Sequence, residues 1–270
     1  MSRFILIVLH YLRRAFNDVK EIVLLIAIPL GLVVFQIVIG SNIDIDFYFY
    51  GYNALASVIA PAFLLSFQFF NSMFMFGFLY SDFRSDMRWR LFAVPCSLRT
   101  YILPAFIANW LLNIILGIIY IIITALFMNV YWGNLLVLIV VLMLISLIAT
   151  FSAVLIFQFT NKLSKANAMG YILAFGMMVL SGFMFPLQLL GDNVVIRFLL
   201  QYGTPLTLGT SAILSSGDLL TVFEGINIGL PGFGIGARDI TVTFTNIGIL
   251  AIIAVVVGAI SLVAGKRRMT

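Results

Sequence analysis

Residues 100–161 contain no charged side chain. No water-facing surface can be built from such a run, and it is too long for one crossing of a bilayer, which takes about 20 apolar residues. It must fold back. The break falls at Asn129-Val-Tyr-Trp-Gly-Asn134, where polar and turn-forming residues meet interfacial aromatics. This gives an apolar hairpin of two spans, 101–128 and 135–160. The same length criterion finds spans at 22–40, 53–81, 166–185 and 243–264. The expected fold is an all-α polytopic membrane protein with six transmembrane helices. Composition agrees: 63% of the 270 residues are hydrophobic and 9% charged, where soluble domains carry about 25% charged residues. The first apolar run lacks a small-residue cleavage site and is expected to be a retained span.

The charges sort cleanly between these spans. Arg3, Arg13, Arg14 and Lys20 precede the first, and Arg84, Arg88, Arg90 and Arg99 separate the second from the third. Lys162 and Lys165 separate the fourth from the fifth, and Lys266, Arg267 and Arg268 follow the sixth. These are thirteen of the fifteen basic residues, all on one side of a six-span chain. The other side holds Arg197 and Arg238, with Asp44, Asp46, Asp192, Asp218, Glu224 and Asp239. The positive-inside rule makes the first side cytoplasmic, with both termini there. A multi-pass protein of a plasma membrane, bacterial by preference, is the expected setting. The net charge of +5 reads as topology and not as a nucleic-acid surface.

Three segments do not span. Residues 1–20 place Phe4, Val8, Tyr11, Leu12 and Phe16 at helical spacing among basic residues, as an amphipathic helix in the interface does. Residues 82–100 form a basic loop. Residues 186–242 form a long external segment, whose first part suits two short helices dipping into the interface around Gly203-Thr-Pro205. Its second part, glycine-rich at 216–242, reads as turn and short strand.

Catalytic chemistry finds little support. The only histidine is His10 and the only cysteine is Cys96, so neither a catalytic triad nor a metal cluster is expected. The glycines at 229, 232, 234 and 236 lie in the external segment with no helix opening after them, the wrong context for a nucleotide fingerprint. Gly265-Lys266 is followed by Arg267, so it is not an ATP-binding loop. No Asp, Glu, Lys, Arg or His falls inside an expected span, which counts against proton coupling and less against sodium coupling.

The second span is the richest. Phe63, Phe67, Phe70, Phe74 and Phe78 form an aromatic stripe, with Ser57, Gln68, Asn71 and Ser72 on the neighbouring face. A functional reading makes Phe67, Gln68, Phe70, Asn71 and Phe74 the lining of a pathway for a large, partly apolar substrate. A plain packing reading turns the aromatics toward lipid. After it, Asp82, Asp86 and Arg90, and Arg84 and Arg88, stand at helical spacing, followed by amphipathic Trp89-Arg-Leu-Phe92. Pro95 ends that helix. A short charged helix there suits a partner that pushes on it. Surface pairing that only fixes topology is the plainer alternative.

Here the chain resembles the permeases of ATP-binding-cassette type-2 exporters. Leu91-Phe-Ala-Val-Pro95 with Ser97-Leu-Arg-Thr-Tyr101 looks like that family's element after its charged helix. Leu180-Ser-Gly-Phe-Met-Phe-Pro186 is similar to its Ser-Gly-x-x-x-Pro at the outer end of the fifth span, and Thr204-Pro-Leu-Thr207 to its external re-entrant hairpin. The N-terminal amphipathic helix and the six-span layout match as well. The loop departs from the family in holding only Asp82 and Asp86 as acids, and 216–242 is longer than the family leads one to expect.

The resemblance implies a cytoplasmic coupling helix between the second and third spans. Asp82, Arg84, Asp86, Arg88, Trp89 and Arg90 would contact a separate cytosolic ATPase that binds ATP and Mg. This chain would hold no cofactor and no catalytic or metal site of its own. It implies a second permease, identical or related, and a pathway to which Gly182 and Phe183 add. Membrane lipid is the other expected partner. The expected cargo is apolar or amphipathic: a peptide antibiotic, a drug or a lipid, exported as in resistance or immunity systems. The alternatives are an ion-coupled secondary carrier and a membrane sensor or anchor that moves nothing.

Overall fold

The structure is a computed structural model that describes residues 3–41, 48–49, 52–83, 99–182, 198, 202–217 and 240–268. Its elements are α1 (Arg3–Asn17), α2 (Val19–Ser41), β1 (Tyr48–Phe49), β2 (Tyr52–Asn53), α3 (Ala54–Ser72), α4 (Phe74–Phe83), α5 (Arg99–Met128), α6 (Leu135–Phe159), α7 (Leu163–Leu180), α8 (Pro205–Ser216) and α9 (Ile240–Arg268). Helices dominate because a chain in lipid must satisfy its backbone polar groups within each segment. Among the described residues the one ladder is a two-residue antiparallel pairing, Tyr48↔Asn53 and Phe49↔Tyr52, between the first two spans.

Among the described residues six helical stretches are long and apolar enough to cross a membrane: Val19–Val38, Ala56–Phe83, Ile102–Met128, Leu135–Phe159, Leu163–Leu180 and Ile240–Ala264. The second is the axis of the bundle. Over an 18-residue stretch, 78% of its residues are buried, against 11% for the first span and 22% for the fifth and sixth. Its upper part, α3, packs against α2, α5, α6, α7 and α8.

This central span is not one continuous helix. At Met73 the bonding tightens, with Met73 N–H donating to the Phe70 carbonyl at 3.1 Å and Phe76 N–H to the Met73 carbonyl at 2.8 Å. Such i→i+3 bonds mark a local tightening of helical geometry. Helix α7 closes on that point because residue 170 is glycine: a Cβ there would stand 2.8 Å from Met73 Sδ. The second segment, α4, runs on to Phe83, so Asp82 stands on the last turn of a spanning helix and not at the start of a loop.

Side-chain contacts sort the helix ends into two sets. At one end Asp82 meets α1, the Tyr80 hydroxyl donates to the Thr160 carbonyl at 3.0 Å, and Gln158 Nε2 donates to the Ser261 carbonyl at 3.1 Å. At the other end Tyr131 N–H donates to Ser57 Oγ at 2.9 Å, and the Ser215 and Thr243 hydroxyls bond at 2.8 Å. Successive spans therefore alternate in direction. The α5–α6 connection turns through positive φ at Asn129 (49°) and Gly133 (64°). Asn134 then caps α6 by accepting from Leu136 N–H at 3.0 Å.

Helix α8 has 12 residues, about 18 Å of helix, too short to cross. Thr204 starts it with a reciprocal cap in which Thr207 N–H donates to Thr204 Oγ1 at 3.2 Å. It is buried among α3, α6 and α9. Gly209 lets it approach: a Cβ would lie 2.7 Å from Leu65 Cδ1 and 3.1 Å from Val141 Cγ1. The glycine-rich 218–239 lie outside the described residues, as do 183–197.

Candidate functional site

Two arrangements stand out, both built on the second span. The first joins its charged end to α1. Helix α1 buries Val8, Tyr11 and Ala15, and leaves Ile5, Leu9 and Phe16 exposed on the adjoining arc. The apolar face is thus wider than the bundle contact, as suits a helix resting on both protein and lipid. Asp18 separates α1 from α2, its carbonyl accepting from Ile22 N–H at 3.2 Å.

From the polar edge of α1, Arg14 reaches Asp82. Nη1 donates to Asp82 Oδ1 at 2.8 Å, and Nη2 donates to Ser81 Oγ at 2.7 Å. The Tyr11 hydroxyl donates to the other carboxylate oxygen, Oδ2, at 2.8 Å. The guanidinium also lies 4.8 Å from the Phe78 ring centroid, within cation–π range. Both oxygens of Asp82 are thus engaged by α1. The remaining coupling candidates, Arg84, Asp86, Arg88, Trp89 and Arg90, lie outside the described residues, as does Phe183.

The second arrangement is a polar layer inside the bundle. Asn113 Nδ2, on α5, donates to Ser72 Oγ at 2.8 Å and to Thr150 Oγ1 at 3.4 Å. Ser72 in turn donates to the Gln68 carbonyl at 2.8 Å, and Thr150 to the Ser146 carbonyl at 2.7 Å. This stitches α3, α5 and α6 together through buried side chains. Polar residues in spans favour such protein-facing positions. Not every group finds a partner: Gln68 Oε1, Asn71 Oδ1, Asn109 Nδ2 and Asn113 Oδ1 are buried without a hydrogen bond. Gln68 is 1% exposed and Asn71 3%.

The pathway candidates separate into groups. Phe67, Gln68 and Asn71 line one small cleft, with Leu25, Ile26 and Pro29 of α2 and Gly117 and Tyr120 of α5. Phe70 turns toward α7, with ring centroids 5.9 Å from Phe175 and 6.3 Å from Tyr171. Phe74 packs edge-on to Phe78 at 5.0 Å, in the direction of Arg14. Gly182 follows α7 with φ 77°. The aromatic stripe is therefore shared among three neighbours.

Sequence reasoning took Arg14 only as a topology charge and Tyr11 only as part of an amphipathic face, and passed over Asn109 and Asn113. The asparagines carried a usable signal, two carboxamides at i and i+4 within an apolar run. Arg14 carried none, since its partner lies 68 residues away.

No curated protein matches the chain. A family model described as ABC-2 family transporter protein matches residues 21–263, which covers all six spans but for Val19 and Lys20 of the first and Ala264 of the sixth. With that match over most of its length, this six-span chain belongs to the ABC-2 transporter family.

Proposed function

We propose that the chain is the permease subunit of an ATP-driven exporter and moves an apolar or amphipathic cargo out of the cytoplasm or inner leaflet. Membership of the ABC-2 family implies an ATP-binding-cassette ATPase as partner. ATP and Mg act on that partner, and a second permease, identical or related, completes the pathway. The end of the bundle that carries Asp82 faces the cytoplasm of a bacterial cell, since Arg13, Arg14, Lys20, Lys162 and Lys165 gather there.

The observation that carries this reading is the tie of α1 to the central span through Arg14, Tyr11 and Asp82. Asp82 immediately precedes the charged residues 84–90. A force applied to α1 or to that segment reaches the most buried span of the bundle directly. The ATPase cycle then biases the bundle between two states with different access. The phenylalanines of α3 and α4 suit an apolar cargo such as a peptide antibiotic, a drug or a lipid.

The test is purification of the tagged full chain from its native cell in mild detergent, with mass spectrometry of what accompanies it. A cytosolic ATPase is expected, and is lost in the Arg84→Glu, Arg88→Glu double variant. A second permease in the sample marks a heterodimer. Absence of an ATPase in every detergent, together with cargo movement in liposomes under a sodium gradient, overturns the reading in favour of a secondary carrier.

A further inference from the structure

The cleft between α2, α3 and α5 is small and partly open, with free volume of about 10 Å³, close to what one water-sized group needs. Its two unsatisfied buried atoms are both acceptors, Gln68 Oε1 and Asn71 Oδ1. The Gln68 amide is oriented by its own helix, with Nε2 donating to the Leu64 carbonyl at 3.4 Å. The Tyr120 hydroxyl, at the same wall, donates to the Ala60 carbonyl at 3.3 Å. On the facing wall, Pro29 has no N–H to offer the Leu25 carbonyl one turn before it. Two unsatisfied acceptors therefore belong to residues lining a space of about one heavy atom. Each costs several kcal/mol if left dry in a lipid environment.

We propose that this cleft receives the hydrogen-bond-donating head, a hydroxyl or primary ammonium, of a single-tailed amphiphile that approaches from the lipid. The tail has a place to lie, because α2 is the least buried span and its Val23, Leu24 and Ile28 are exposed. No carboxylate is among the cleft residues, so hydrogen bonds from the head group, and not a counter-charge, would hold it. The inference deepens the exporter reading, on which it rests for its meaning, by making a donor head group the feature of the cargo that is recognised.

The experiment uses the full chain in phosphatidylcholine nanodiscs, whose head groups carry no N–H or O–H donor, and reads thermal unfolding. Dodecanol and dodecylamine are titrated beside methyl dodecyl ether and dodecyltrimethylammonium, which keep the tail and lose the donor. The donors are expected to stabilise the chain at roughly tenfold lower concentration than their methylated counterparts, the worth of one good hydrogen bond. Gln68→Met and Asn71→Leu are expected to erase that difference. Ile26→Phe, which fills the cleft from α2 and leaves the polar layer intact, is expected to do the same and guards against misfolding of the first two. Equal response to both members of each pair overturns the proposal. So does a donor preference that survives in all three variants. No response to any amphiphile leaves the cleft to water, and selective stabilisation by sodium over choline chloride, lost in Gln68→Met, assigns it to a cation; both refute the amphiphile. The assay needs no ATPase, so its failure leaves the exporter reading standing, and loss of the ATPase partner leaves this binding result unaffected.

Discussion

Replacing Asp82 with alanine removes the carboxylate that holds α1 to the second span. The Arg14 side chain is 37% exposed and that of Asp82 20%. Water screens such an ion pair, so it contributes about 0.5–1 kcal/mol. The buried Tyr11 hydroxyl loses an ionised acceptor at 2.8 Å, which adds about 1–1.5 kcal/mol. The total, about 2 kcal/mol, shifts the docking equilibrium of α1 by about 30-fold. Hydrogen exchange with mass spectrometry on peptides from residues 3–17 reads that equilibrium, because local opening sets the exchange rate. The expected result is exchange about 30-fold faster across α1 in Asp82→Ala, with α6 and α9, which α1 does not pack against, unchanged. Arg14→Ala is expected to give a smaller acceleration, and the double variant less than the sum of the two, since the partners couple. Unchanged exchange in Asp82→Ala, or strictly additive effects, would show that the contacts do not hold the helix.

Other substitutions probe the rest of the bundle. Gly217→Ala places a Cβ 2.9 Å from Gly133 Cα; backbone cannot yield as a side chain does, so about 1–3 kcal/mol is lost, seen as a lower unfolding temperature. Asn113→Ala opens the layer between Ser72 and Thr150 and costs about 0.6–1.7 kcal/mol, measured by unfolding in detergent. Tyr80→Phe removes the hydroxyl bond to Thr160 and costs about 0.5–1.5 kcal/mol in the same assay; no loss would mean that the Phe157 ring, 5.2 Å from that of Tyr80, carries the contact alone.

The crossing helices were legible because a lipid solvent writes its demand in composition: an uncharged run of sufficient length has few other fates. The turn between α5 and α6 was legible for a local reason, since Asn129 and Gly133 take the positive φ that their residue types favour. What joins helices to one another was not. Gln68 and Asn71 announced themselves as polar residues in an apolar helix, yet nothing local says that Pro29 and Gly117 would face them. The break at Met73 has neither proline nor glycine at its centre and arises where α7 closes on it through Gly170. The depth at which α8 is buried depends likewise on Gly209 meeting Leu65 and Val141 of other helices. Short polar sequence around Thr204 and Pro205 suggested a helix at an interface, and only the neighbours reveal how far inside the bundle it packs.

The break at Met73 divides the labour of the central span. Above it, α3 is clasped by five neighbours, so it behaves as masonry. Below it, α4 is fastened at Asp82 to α1, which lies along α5. In the proposed exporter cycle, a thrust at that end would reach the bundle as a change at one joint and not as a piston stroke along the whole span. Asn71 and Ser72 on one side of the joint and Phe74 on the other would feel it first. A single hinge in the middle of the wall would turn a small tilt at the membrane surface into an opening at its centre.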